Sequence, residues 1–418
     1  MSDMPTDPLW THARRLRPER TNPGPASSDP SVPACRVPCT EADVVGIGEA
    51  THGSREFGRL EHAVVRHLVQ QGFRTVAVEA DVTAMLPVDR YVHEGVGDPV
   101  AALSDPGTWL WRTESTLELL RWLRSFNEGR PPENRVRVRG VDLSRPSAPA
   151  PAVRSYLSRV DSGETDAVET LLEGVRADER RQARLDVVAA AARSVGDRLE
   201  RNRAAYVERA SAPAWERARH LCRVIERTCE WHRVRHAHEG PHPEGMSERD
   251  RLMAENAAWC LERDRGQGVA LLAHNSHVKR GRFDDGRAWT DATTMGERLH
   301  RRLGDRYAAV GTDFGRGSVR AERAGAAGGP EVFTVAEPRA DSATARFEAL
   351  PGPFLLDLAA AADDDRLAGW LDGPRRVRQV GSVYDPDAVG DHYLRTRLAE
   401  SFDALAFVPE STPTRPLE

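Results

Sequence analysis

Seven short apolar runs punctuate this chain: DVVGIG (43–48), FRTVAVEA (73–80), VRVRGVDL (136–143), GVALLAH (268–274), YAAVGTD (307–313), PFLLDL (353–358) and ALAFV (404–408). Most are β-rich and bounded by Gly, Pro or Asp, the residues that end strands and turn a chain. Helical stretches lie between several of them. Residues 55–72, for example, place Phe57, Leu60, Val64, Val65 and Leu68 at helical spacing. Strands alternating with helices close most simply as parallel crossovers. The fold class expected is therefore α/β, a mostly parallel sheet flanked by helices.

One interval breaks the rhythm. From about residue 150 to about residue 263 no run reads as a strand. Residues 164–210 are dense in Ala, Arg, Glu and Leu, and 212–236 repeats that pattern. This predicts a large all-helical insertion of about four charged helices, much of whose surface faces water. Within it HRVRHAHEGPHPEG (232–245) reads as a His- and Gly/Pro-rich loop, with His232, His236, His238 and His242 expected to be exposed. Residues 1–40, rich in Pro, Ser, Asp and Arg, read as a flexible leader with one short helix around Trp10 to Leu16. The expected organisation is this leader, an α/β core over 41–150 and 264–418, and a helical insertion or lid over 151–263.

Composition narrows the class. Apolar residues make up 39% and charged residues 29%, and the formal net charge of -5 supplies no basic field for nucleic acid. No window approaches a membrane span, and the first residues lack the apolar core of a secretory signal, so a cytoplasmic protein is expected. Of the cysteines, Cys35, Cys39, Cys222, Cys229 and Cys260, no pair has zinc-site spacing, and reduced thiols are expected. Cys222 and Cys229 stand two helical turns apart, which predicts a shared helix face. The charged helices show no heptad seam from which to read an oligomeric state.

The chemistry gathers at strand ends. GIGEATHGSREF (46–57) supplies Glu49, His52, Arg55 and Glu56. VAVEAD supplies Glu79 and Asp81, and LLAHNSHVKR supplies His274, Asn275 and His277. RGVDL adds Asp142, and MSERDRLMAENAAW (246–259) opens a helix with Arg249 and Asp250. In open parallel sheets ligands bind at the carboxyl ends of strands, so groups far apart in the chain can share one pocket. Glu79 stands in an otherwise apolar strand, where a carboxylate is costly to bury unless paired or functional. The His274/His277 pair reads either as metal ligands or as one orienting and one core histidine. Asp142 reads as a cap or as a site residue, and Trp109 and Trp111 as cleft lining or as core.

These motifs, GEATHGSREF, VAVEAD, RGVDL, RDRLMAEN, LLAHNSHV and MGERLHRRLGDRYAAVGTDF, with the later FTVAEP, DS and FEALPGPFLLDL, resemble the erythromycin esterase family in order and spacing over roughly residues 40–410. The resemblance implies an α/β fold with a helical insertion and a deep cleft. It also implies hydrolysis of macrolactones without a serine nucleophile, a histidine activating water directly. Carried across motif by motif, it makes His52 the general base. Glu79, His277, Arg249 and Glu49 complete the catalytic set, and His274 matches as well. The positions expected to bind substrate are Arg55, His274, Asn275, Asp142, Trp109 and Trp111.

The residues fit such chemistry. A histidine takes a proton near neutral pH. Glu79 or Glu49 would hold its tautomer, and Arg249 and His277 would donate to an oxyanion. No G-x-S-x-G elbow occurs; the serine of GRGSV (315–319) lies one place late. Ser54 and Ser276 are expected as hydrogen-bond partners. No cofactor is expected, the alternative being a divalent ion held by Glu49, His52, Glu79, His274 and His277 with metal-bound water as nucleophile. The expected partner is a small-molecule natural product, with antibiotic resistance or biosynthesis as the biological setting. Two other functions compete. One is a biosynthetic enzyme using this site for acyl transfer, cyclisation or elimination. The other is a non-catalytic ligand- or haem-binding protein, which would have no need of a base, its orienter and an anion site together.

Overall fold

The structure, a computed structural model, describes residues 6–16, 37, 39, 41–105, 110–143, 145–161, 168–170, 173, 182–238, 240–264, 266–284, 286, 288–326 and 328–418. The strands are β1 (Ala13–Arg15), β2 (Val44–Glu49), β3 (Thr75–Asp81), β4 (Arg137–Asp142), β5 (Val269–His274), β6 (Tyr307–Arg323), β7 (Glu331–Val335), β8 (Phe354–Asp357), β9 (Arg375–Arg378), β10 (Val383–Tyr384), β11 (Tyr393–Thr396) and β12 (Ala404–Ser411). The main sheet runs β1-β8-β12-β6-β2-β5-β3-β4, with β7 and β10 both pairing with β6. From β12 to β4 every neighbouring pair is parallel, while β1, β8 and β7 add antiparallel edges. All seven apolar runs are strands of this sheet.

The helices used below are α1 (Arg55–Gln70), α2 (Glu114–Asn127), α3 (Ala150–Val160), α4 (Gln182–Arg201), α5 (Arg203–Arg209), α6 (Ala212–His236), α7 (Pro243–Arg263), α8 (Met295–Leu303) and α9 (Ala343–Glu348). Central strands such as VALLAH are buried along their whole length, as a sheet covered on both faces requires. Their side chains alternate between two cores. Val45, Ile47, Ala270 and Leu272 pack with Leu60, Val64 and Leu68 of α1 and Leu120 and Leu123 of α2. Val44, Leu271 and Ala273 pack with Met253 and Ala257 of α7, Leu299 of α8 and Phe347 of α9. Each fully buried Val, Leu or Phe contributes about 1.5–3 kcal/mol.

Helices α3 to α6 build a separate core from Val153, Leu157, Leu185, Val188, Leu199, Trp215 and Ile225. No strand occurs between β4 and β5 among the described residues. Cys222 and Cys229 both lie in that core, on one side of α6, and they, Cys39 and Cys260 are buried.

Three expectations need correction. Part of the leader is built into the fold. Pro8–His12 forms a 3-10 turn, β1 pairs with β8, and Leu9 and Trp10 are buried, Trp10 lying edge-on to Phe354 at 5.9 Å. The short helix expected up to Leu16 is therefore half turn and half strand, because pairing with Phe354–Asp357 outweighs local helical preference. Second, His232 is buried. The supposed loop starts later because α6 continues to His236. Third, strands β7, β9, β10 and β11 have no counterpart among the sequence runs. They are short and partly exposed, and so lack an apolar signature.

Candidate active site

The carboxyl ends of β2, β5, β3 and β4 lie side by side in the sheet. Glu49 is in register with His274, and Asp81 with Asp142. Between Val78 and Asp81 the β3–β4 register shifts, β3 carrying one extra residue beside Glu79. Such a bulge re-aims side chains at a strand end. Gly140 permits it, since a Cβ there would come within 2.5 Å of the Ala80 and Asp81 carbonyl oxygens. Gly48 serves β2 likewise: a Cβ would lie 2.2 Å from Asn275 Oδ1, so only glycine lets the turn after β5 close over β2.

Three imidazoles line up on this edge. The ring centroids of His52 and His274 are 5.3 Å apart, and those of His274 and His277 are 6.5 Å apart. Each has a different partner at Nδ1. His52 Nδ1 donates to Glu49 Oε1 at 2.5 Å, which leaves Nε2 as the basic nitrogen. His52 sits in the turn just after β2, close enough in sequence for the strand's last carboxylate to reach back to it. Burial opposes its charged form, but the charge and hydrogen bond of Glu49 and the charge of Glu79 outweigh that and hold its pKa above the ordinary histidine value.

His274 is the opposite case. Its Nδ1 accepts from Ser276 N–H at 3.3 Å and lies 2.6 Å from Ser276 Oγ, so the proton sits on Nε2. Burial, with the charge of His52, pushes its pKa down to about 3, and the ring is neutral. Its buried Nε2–H meets strict hydrogen-bond geometry with no group among the described residues, although a backbone contact with Ala50 opposes the downward shift weakly.

His277 is charged. Asp250, fully buried, accepts from its Nδ1 at 2.8 Å, and Glu79 lies 3.3 Å from its Nε2. Against the cost of burial these two carboxylates raise its pKa to about 10. Arg249 Nη1 also lies 3.1 Å from Nε2, but with an imidazolium that proton points to Glu79. Arg249 itself is fixed from both sides: Nε and Nη2 donate to Asp142 at 3.0 and 2.7 Å, and Nη2 donates to Glu79 Oε1 at 2.9 Å. Despite its burial, His277 and Arg249 hold Glu79 well below the usual carboxylate range. The other oxygen of Glu79 accepts from the His274 N–H at 2.8 Å. Glu79 therefore ties three elements together.

The edge thus brings together Glu49, His52, Glu79, Asp142, Arg249, His274 and His277. Other expected positions lie elsewhere. Both ends of the Asn275 amide are taken by Thr312, Nδ2 donating to its carbonyl at 2.7 Å and Oδ1 accepting its N–H at 3.0 Å, so Asn275 clamps β5 to β6. Trp111 is buried in the core of the α1/α2 face, and its Nε1 donates to the Glu79 carbonyl at 3.0 Å, bracing β3 from behind. Trp109 lies outside the described residues. Arg55 opens α1 with its N–H on the Thr412 carbonyl at 2.9 Å. Glu56 accepts from Thr412 N–H and Oγ, and Ser54 bonds Ser411, so these fasten the C-terminal segment. Asp81 caps its own turn through Thr83. His277, expected to donate to an oxyanion, has both ring nitrogens engaged.

Two acids escaped the sequence reading as site members. Asp250 holds His277 and also accepts from Met295 N–H at 2.7 Å. Glu61 is buried on the face of α1 that carries Phe57 and Val65. Burial and then the charge of Glu49 push its carboxyl pKa well up, and its Oε1 is unpartnered. A signal existed for both: each falls at helical spacing within an apolar stripe, Asp250 with Met253, Ala254 and Ala257.

Beside this edge a cavity of about 620 Å³ is lined by Trp231, Met246, Arg249 and Trp289, so Arg249 joins the buried cluster to a cleft walled by α6 and α7. Among the described residues, the three side chains whose ligand atoms all fall within 4.8 Å of one another are His238, His242 and Glu244, at the α6–α7 turn. The five groups considered as metal ligands at the strand ends form no such set among the described residues. No described helix is long and apolar enough to cross a membrane.

The family model for erythromycin esterase matches residues 68–411. Erythromycin esterase type II of Escherichia coli is 21% identical over 398 residues, covering 88% of this chain and 90% of that protein. Among solved structures, a Bacillus cereus protein superposes with a TM-score of 0.77 at 22% identity, covering 98% of both chains. A succinoglycan biosynthesis protein gives 0.72 at 20% identity, over 90% of this chain and 89% of its own. An erythromycin esterase mutant in its open conformation gives 0.67 at 19% identity, over 90% of this chain and 92% of its own. At these identities the structural likeness establishes the fold.

Proposed function

The chain belongs to the erythromycin esterase family, and from that premise we propose that it hydrolyses a carboxylic ester, a macrolactone or a similarly large natural-product ester, by direct attack of water. His52 Nε2 takes a proton from water as the oxygen bonds to the carbonyl carbon. Glu49 stabilises the imidazolium that forms. The tetrahedral oxyanion accepts from the Nε2–H of the neutral His274 in the field of the Arg249 and His277 cations. Collapse breaks the ester C–O bond, and His52 returns its proton to the leaving alkoxide. The products are an acid and an alcohol, with one water consumed. A preorganised donor of this kind is worth about 3–4 kcal/mol.

The observation that carries this reading is the division of labour among three adjacent imidazoles: one paired to a carboxylate as a base, one neutral with its proton on Nε2, one held as a cation. A binding module has no use for that set. The test is incubation with a panel of macrolactones and product analysis by mass. Hydrolysis adds one water, and His52→Ala lowers turnover by about 10²–10⁴ with unchanged folding. A product of unchanged mass, or a His52→Ala variant near wild-type activity, overturns the proposal.

A further inference from the structure

Where the helical block meets the sheet, a cavity of about 220 Å³ lies between α3, α6 and the residues that follow β3. That is room for more than a single ordered water, whose share of liquid volume is about 30 Å³. Three arginines line it: Arg90 from the π-helical turn Arg90–Glu94, Arg159 from α3 and Arg217 from α6. On the neighbouring strand β4 the arginines are held by carboxylates, Arg137 by Asp89 and Arg139 by Asp264. The three in the cavity wall are underpaired. Arg217, half-buried, has neither a hydrogen bond nor an ion pair among the described residues. Arg159 makes one long hydrogen bond, 3.5 Å to Ser155 Oγ, and Arg90 one loose ion pair, 3.8 Å to Glu94. The second acid in the wall, Asp89, is fully engaged, both its oxygens accepting from Arg137. Burial, and then the charge of Arg137 against that of Asp89, pushes the pKa of Arg217 down, yet a guanidinium stays charged in a protein. Three forks of N–H donors thus face one space with too few acceptors.

We propose that Arg90, Arg159 and Arg217 bind a phosphate group, free or carried by a small molecule. A phosphate dianion offers several acceptor oxygens at once, the pattern that guanidinium forks recognise two N–H groups at a time. A carboxylate presents two oxygens and leaves at least one fork unanswered. The α6 wall beside Arg217 is apolar, with Ala214, Ala218 and Leu221, and accommodates a small organic part. Bound there, the anion ties α3 and α6 of the helical block to the core segment after β3, because each of the three supplies one arginine. This inference is independent of the hydrolytic reading, whose histidines and acids do not line this cavity.

The test is calorimetric titration of full-length protein with inorganic phosphate and, separately, with phenyl phosphate, at an ionic strength held constant with sodium chloride. Thermal melting accompanies it. One equivalent is expected to bind and to raise the melting temperature. Arg159→Gln, at an exposed position, and Arg217→Gln should each weaken binding by about tenfold or more. Arg235→Gln, in the separate cleft beside Arg249, should leave it unchanged. Tighter binding of phenyl phosphate identifies the ligand as a phosphorylated small molecule, and equal affinity identifies it as free phosphate; both support the site. The proposal is overturned if folded wild-type protein binds neither probe saturably. It is equally overturned if one-to-one binding survives in the Arg159→Gln/Arg217→Gln double variant, or disappears in Arg235→Gln, since the anion then sits elsewhere.

Discussion

The carboxyl edge of the sheet and the turn joining α6 to α7 both concentrate histidines and carboxylates, yet they treat them differently. At the sheet edge the imidazoles are dry and each has a fixed partner. His52 leans on Glu49, His274 on Ser276 and His277 on Asp250. The result is three protonation behaviours from one residue type: raised by a carboxylate at His52, down to about 3 at His274, up to about 10 at His277. At the turn, His238 and Glu244 stand in water, with His238 Nε2 3.9 Å from Glu244 Oε2. Burial with a partner gives a histidine a fixed task; exposure leaves it dependent on what solvent delivers. The same contrast separates the buried ions beneath the cleft from the salt bridges that lace the helical block.

The largest effect should come from breaking a buried pair. Asp250→Ala removes the fully buried carboxylate beside the His277 cation, and losing one partner of such a pair costs about 3–5 kcal/mol. Urea denaturation measures it. The pH dependence has a worked sign. The folded His277 pKa of about 10 lies above the ordinary histidine value, so its contribution is complete below about 6.5 and is lost as pH rises through about 10. His274 runs the other way. Its folded value of about 3 lies below the unfolded one, so its contribution is present above about 6.5 and is lost as pH falls. Asp250→Ala should flatten the alkaline slope and leave the acid slope. An unchanged alkaline slope would break the assignment of His277 as the cation.

A smaller effect sharpens the role of His52. Glu49→Gln keeps a hydrogen-bonding group against Nδ1 but removes the charge that holds the imidazole pKa up. A neutral base is required, so activity rises with pH through that pKa. The acid limb of kcat/KM should therefore move to lower pH in the variant, while the plateau falls by about a hundredfold, or about 2.7 kcal/mol, as the imidazolium loses its counter-charge. After burial, the charge of Glu49 also contributes to the raised pKa of Glu61, so the substitution relaxes both sites at once. A limb that stays in place would move the orienting role from Glu49 to Glu79.

The α/β class and the clustering of ionisable groups at the strand ends were legible because topology enforces them. A buried parallel strand must be a continuous apolar run, and a polar residue at its carboxyl end, such as Glu49 or His274, announces itself against that background. The choice between Glu49 and Glu79 as partner of His52 was not legible. It turns on a one-residue bulge in β3, which no periodicity records. Asn275 and Trp111 carry the right chemistry beside the right motifs, but close packing directs one to Thr312 and the other to the back of β3. The short strands β9 and β11 pair with each other, outside the main sheet, and carry half-exposed arginines and no apolar run. Asp250 and Glu61 were visible as acids on apolar helix faces. Their partners come from distant parts of the chain or from burial itself, and spacing alone does not name them.

The smallest expected effect lies in the helical block. Arg219 on α6 donates through Nε to Glu200 on α4 at 3.1 Å, and the Glu200 side chain is 45% exposed. In water the Coulomb gain is screened and both long side chains give up rotamer freedom to meet. Glu200→Gln should therefore cost about 0–1 kcal/mol, and less in high salt. Measured beside Asp250→Ala in the same denaturation series, it isolates burial as the variable, since both variants remove one acid from an ion pair. A Glu200 cost equal to that of Asp250 would mean that the charges of the helical block are structural in the same sense as those of the sheet edge. The expected several-fold gap instead leaves the block held by the packing of Leu185, Leu199, Trp215 and Ile225, with its surface charges contributing little.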